Sequence, residues 1–181
     1  MLRFIENKTN FDGLFTVTKT VITDSRGYFE RLFSPKELKC WGNRPIMQVN
    51  RTFTKIKGTI RGLHFQNPPY ECAKLIFCLK GRVMDVVIDL RKKSNTFLKC
   101  FNYELSAEKS EILYIPSGFG HAFLGLDETN ILLYNIDQVY SKENDTGILW
   151  NSSNFVWPIN NPKISDRDNS FIQLKNFISP F

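Results

Sequence analysis

Between Lys74 and Val139 the chain repeats one kind of unit: a short segment rich in β-branched and aromatic side chains, then a turn signal. Lys74 to Leu79, Arg82 to Leu90, Leu98 to Leu105, Glu111 to Ile115, His121 to Leu124 and Asn130 to Val139 have the composition and length of strands. Lys80-Gly81, Arg91 to Asn95, Pro116 to Gly120 and Gly125 to Glu128 punctuate them. Regularly spaced short strands close into an antiparallel sandwich or barrel, and the leading form is an all-β, cupin-like jelly roll with short peripheral helices. Sixteen phenylalanines and 42% apolar residues supply a core for it. A length of 181 residues suits a single domain over 1–181.

Upstream, Leu14 to Thr18 and Tyr28 to Phe33 read as extended pieces around the turn Asp24-Ser25-Arg26-Gly27. Ser34-Pro35-Lys36-Glu37 has the cap, proline and acidic residue of a brief helix. Gln48 and Asn50, two apart in an extended segment, share one face, and Met47 and Val49 share the other. From about residue 141 the chain becomes less regular, with a proline-punctuated stretch from Trp157 to Pro162 and a short helix start at Ser165 to Asp168.

A formal net charge of +6 favours an anionic partner without choosing one. The lysines lie in separate segments and no basic block forms, so nucleic acid is not expected. Four cysteines, Cys40, Cys72, Cys78 and Cys100, lack a C-x-x-C spacing, which argues against structural zinc or a redox pair. The start, M-L-R-F-I-E-N-K, is too charged for a signal peptide, and no apolar run suits a membrane span. These features predict a cytoplasmic protein with reduced thiols.

His64 and His121 are the only histidines. Each alone is more often a satisfied structural residue, yet imidazole is the side chain best placed to act as a base near neutrality. A metal would need recruits such as Asp85 or Gln48, since no H-x-H or H-x-x-x-H pair exists. Tyr134 points opposite Leu133. Its ordinary role is a packed ring with a bonded hydroxyl, and its chemical use is to return a proton to the face opposite a base. Lys74 opens an apolar strand; it either snorkels from the rim or sets positive charge beside a developing enolate. Asp85 shares a face with Val83 and Val87, where a buried carboxylate needs a donor and can orient it. Arg26, Arg61 and Arg167 are suited to phosphate, although arginines are usually surface residues.

Arg61-Gly62-Leu63-His64-Phe65-Gln66, Lys74-Leu75-Ile76, Gly81 through Asp85 to Arg91, Ile115 to Phe123, Trp150-Asn151, Trp157-Pro158 and Ile164 to Asp168 occur in that order along nearly the whole chain. Together they resemble the dTDP-4-dehydrorhamnose 3,5-epimerase family. The resemblance implies a homodimeric jelly-roll enzyme that uses no metal and no organic cofactor. It would invert carbons 3 and 5 of dTDP-4-dehydro-6-deoxy-D-glucose to give dTDP-4-dehydro-L-rhamnose. His64 would be the base, supported by Asp168; Tyr134 the proton donor; Lys74 the group beside the ketone; His121 a further substrate contact. Nucleotide and phosphate contacts carry over to Arg26, Gln48, Asn50, Arg61, Asp145 and Arg167, with Tyr140 an aromatic beside the base and Phe29 reaching into the partner's site. Two positions differ from the family pattern: Asp145 stands where glutamate is common, and Arg31 where many members have glutamate. An epimerase acting at one carbon, a 3,4-ketoisomerase and a non-catalytic nucleotide-sugar binding module stay open at this point.

Overall fold

The computed structural model describes residues 3–181; Met1 and Leu2, the start of the amino-terminal stretch read above, lie outside them. Among the described residues thirteen strands run in chain order: β1 Phe4–Lys8, β2 Phe15–Lys19, β3 Val21–Asp24, β4 Gly27–Glu30, β5 Gln48–Thr54, β6 Ile60–Gln66, β7 Lys74–Lys80, β8 Arg82–Asp89, β9 Cys100–Ser106, β10 Glu111–Ile115, β11 Phe119–Gly125, β12 Asn130–Ile136 and β13 Asp145–Gly147. One sheet has the order β1-β2-β10-β7-β12-β5, the other β13-β6-β11-β8-β9, and β3-β4 is a separate hairpin. The strand pairings are antiparallel, and the two large sheets face each other as a cupin-like jelly-roll sandwich.

The central strands read as unbroken apolar runs because both of their faces are covered. In β7, Ile76 and Cys78 enter the core between the sheets, whereas Leu75 and Phe77 point outward onto Leu38 and Trp41. In β8, Val83 and Val87 face inward, while Val86 and Ile88 pack under the carboxyl-terminal segment with Trp157 and Ile148. That segment has little regular structure, yet its aromatics seal the outer face of the five-stranded sheet.

The helix expected at Ser34 to Glu37 does not form. The amides of Glu37 and Leu38 both bond the Ser34 carbonyl, at 3.1 and 3.0 Å, and the turn stops there. A nucleus this short is unfavourable alone, and burial of Leu38 and Trp41 against the sheet outweighs its continuation. Of the extended stretch Tyr28 to Phe33, only the part up to Glu30 is strand. At Ser165 a helix does begin: α1, Asp166–Asn169, is one turn, with the Ser165 hydroxyl accepting the Asp168 amide at 3.1 Å.

Candidate active site

Strand β6 carries Arg61-Gly62-Leu63-His64 beside β11, and the register skips between them: His121 pairs with His64, but Phe123 pairs with Arg61. Three steps on β6 therefore oppose two on β11. The resulting bulge lets Arg61 and His64 line one cavity, although three residues apart they would point to opposite faces of a regular strand. Gly62 makes this possible. Its φ of 130° lies where side chains are strained, and a Cβ there would collide with Ala122 and the His121 carbonyl.

The cavity, about 590 Å³, opens between the sheets at one end of the sandwich, a volume suited to a small organic ligand. The five-stranded sheet contributes Arg61, His64, His121 and Asp145; the six-stranded sheet contributes Asn50, Lys74 and Tyr134; the carboxyl-terminal segment contributes Arg167 and Asp168.

His64 Nε2 lies 2.8 Å from Asp168 Oδ1, and the Gly62 amide donates to Asp168 Oδ2 at 3.0 Å. Both carboxylate oxygens are thus occupied. Burial raises the Asp168 pKa, but the His64 ring, the Gly62 amide and Ser165 outweigh it and hold the carboxyl below its ordinary value. An ionised Asp168 takes the Nε2 proton as hydrogen-bond acceptor and so leaves Nδ1 as the ring's basic nitrogen. Phe171, which lies outside the sequence motifs, packs edge-on against the His64 ring at 5.6 Å. The Lys74 ammonium donates to the His64 carbonyl at 3.4 Å, which sets a cation next to this histidine.

A second histidine–carboxylate pair stands beside the first. His121 Nε2 is hydrogen-bonded to Asp85, whose other oxygen is buried without a partner among the described residues. Asp85 therefore orients His121 from the core side. Burial, the largest influence, lowers the His121 pKa below its ordinary 6.5, and Asp85 opposes it only in part. The unfolded ring accepts a proton near that ordinary value while the folded ring stays neutral, so this group's contribution to stability is complete above about 6.5 and is lost as pH falls toward the folded value. The melting temperature should fall as pH is lowered from about 7 to about 5, and His121→Asn should flatten that slope. An equal slope in wild type and variant would reject this assignment.

Tyr134 sits on β12, on the sheet opposite His64, with its ring 6.2 Å from that of His121. It is buried to 9% exposure, and burial pushes its pKa up. At the mouth, Arg167 pairs with Asp145 at 2.7 Å, and the Tyr140 hydroxyl donates to the same carboxylate at 3.2 Å. Gln48 donates to the Gln138 carbonyl at 2.6 Å and accepts from Asn50 at 3.3 Å, outside the cavity wall.

Besides Gln48 and Tyr140, which do not line the cavity, three expected site residues lie apart from it within this chain. Arg26 caps the β3-β4 turn, paired with Asp24 at 2.6 Å; Phe29 is 56% exposed on the same hairpin; Arg31 pairs with Glu37 at 2.6 Å. Conversely, Thr52, Thr59, Phe123, Lys163 and Ser165 line the cavity although none of them is among the expected site residues. Inward alternation from Asn50 points to Thr52. Nothing in the sequence marks Lys163.

The family model for dTDP-4-dehydrorhamnose 3,5-epimerase matches residues 8–176. A protein of that name from Shigella flexneri is 39% identical over 164 residues, which cover 89% of this chain and 91% of that one. A solved structure of a dTDP-4-dehydrorhamnose 3,5-epimerase from Bacillus anthracis, with TDP and PPi bound, superposes with a TM-score of 0.91 at 36% identity, covering 94% of this chain and 99% of the other. A dTDP-6-deoxy-D-glucose-3,5-epimerase from Legionella pneumophila, in complex with dTDP-4-keto-L-rhamnose, gives a TM-score of 0.91 at 27% identity, covering 97% and 95%. With matched sequence along its length and the same sandwich, this chain belongs to the dTDP-4-dehydrorhamnose 3,5-epimerase family.

Proposed function

We propose that this chain, working as one domain, inverts carbons 3 and 5 of dTDP-4-dehydro-6-deoxy-D-glucose to give dTDP-4-dehydro-L-rhamnose. The observation that carries this reading is the placement of the His64–Asp168 pair and Tyr134 on facing walls of one cavity, with Lys74 beside them. The substrate ketone acidifies the neighbouring carbon–hydrogen bonds. His64 Nδ1 removes one proton, and the C–H electron pair moves into an enolate. Lys74, with His121 behind it, stabilises the charge on oxygen, a contribution that grows as the charge develops. Tyr134 then delivers a proton from the other wall, and the centre is inverted. The change is redox-neutral, so no electron carrier takes part in it.

Arg61, Arg167 and Lys163 give the mouth its positive charge, which suits a nucleoside diphosphate. Arg26 and Phe29 enter this scheme through a homodimer. Their hairpin exposes Val21, Ile22 and Tyr28 as well, and β5, the edge of the six-stranded sheet opposite β1, separately exposes Val49 and Phe53. An apolar face of that kind is suited to a second copy, whose hairpin would complete the nucleotide pocket. Among the described residues no helix is long and apolar enough to cross a membrane.

The test is incubation of the purified chain with the thymidine-linked 4-keto sugar in D₂O, followed by NMR. Deuterium should appear at both carbons together with the L-rhamno product, and the same preparation should sediment as a dimer. Exchange at one carbon alone would make it a mono-epimerase, movement of the carbonyl to carbon 3 would make it a ketoisomerase, and tight binding without exchange would leave only a binding module.

A further inference from the structure

The proposed reaction needs the same phenol twice: each of two inversions takes a proton from Tyr134, so the acid must be refilled while the sugar is bound. Burial makes this difficult. The Tyr134 hydroxyl lies among Asp85 and Cys78, which raise its pKa further, and Arg61, which lowers it, so a bare phenolate is poorly accommodated.

Strand β5 lies antiparallel to β12, with Leu132 opposite Thr52 and Tyr134 opposite Asn50. Thr52 is therefore the diagonal neighbour of Tyr134 on the inward face. Its Oγ1 lies 3.3 Å from Tyr134 Oη and is, among the described residues, that hydroxyl's one hydrogen-bond partner. Both residues line the cavity, and Thr52 is less buried than Tyr134. A threonine hydroxyl can donate and accept at once.

We propose that Thr52 is the positioning residue of the acid: it aims the Tyr134 hydroxyl, stabilises the phenolate left after donation, and passes a solvent proton back to it. This rests on the epimerase reading. The carbon–hydrogen bond forms as the Tyr134 O–H breaks. The phenolate then takes the Thr52 proton while Thr52 Oγ1 takes one from solvent, and His64 releases to solvent the proton it removed. No electrons are exchanged and both groups return to their starting state.

The experiment compares wild type, Thr52→Val and Thr52→Ser in D₂O with the thymidine-linked 4-keto sugar, reading deuterium washout and epimer formation separately. Thr52→Val should lower kcat about tenfold, the size of one hydrogen bond to a developing charge, with KM changed less than about twofold. Its ratio of washout to inversion should rise several-fold, since the enolate is then mainly requenched from the His64 side. Thr52→Ser should restore the wild-type ratio, and Thr52→Ala serves in place of valine if that variant does not fold. A wild-type ratio in the valine or alanine variant, or a serine variant as impaired as valine, would overturn the proposal. Absence of exchange in wild type would instead defeat the epimerase reading.

Discussion

His64→Ala should reduce turnover by about 10³-fold and abolish deuterium uptake at both carbons, within the range expected for loss of a general base. The effect is large because among the described residues no other group holds a comparable place. His121 is tied to Asp85 and its pKa is lowered by burial, so it is a neutral contact whose Nε2 is already engaged. Asp168 sits behind the imidazole, with both oxygens bonded to His64 and Gly62. The His64 ring is part-exposed to the cavity and lies outside the inter-sheet apolar core, so the variant should still fold, with a melting temperature lowered because the buried Asp168 loses a partner. Measurable exchange at either carbon, at a rate near wild type, would remove His64 from the role of base.

Tyr134→Phe should separate the two halves of the reaction. The phenyl ring keeps the packing against Ile76 and Leu132, so the loss is chemical. Inversion should fall about 10²-fold or more, because the enolate has lost its donor on that face. Proton removal by His64 remains possible, so deuterium should still wash into recovered, uninverted substrate. Equal loss of washout and inversion would mean that the phenol also acts in the first step; undiminished inversion would mean that the proton comes from elsewhere.

Much of this site was legible because its residues lie in short motifs whose local structure is strongly constrained. His64 follows Gly62 in a segment where only glycine tolerates the backbone, and Lys74 heads a strand that must be buried on both faces. Asp85 was identifiable as a carboxylate on a core-facing position that needs a donor, and its donor is His121. Lys163 and Phe171 were not legible, since the carboxyl-terminal segment that carries them has no periodicity; its course is set by aromatic packing onto the sheet. Arg26, Phe29 and Arg31 stand apart from the cavity within one chain, because the β3-β4 hairpin that carries two of them is paired with neither large sheet.

The strand repeat, a closed antiparallel architecture of sandwich or barrel type, and the residue types available for proton transfer can be read from the sequence, because they follow from side-chain alternation and from what imidazole, phenol, ammonium and carboxylate can do. That His64 and Tyr134 stand on facing walls of one cavity is legible only in the folded chain. That arrangement depends on which strand joins which sheet, on the β6 bulge that turns Arg61 and His64 to the same side, and on a one-turn helix that carries Asp168 to a histidine 104 residues earlier in the chain. These are contacts between distant segments, and burial of both sheet faces fixes them where no local preference does.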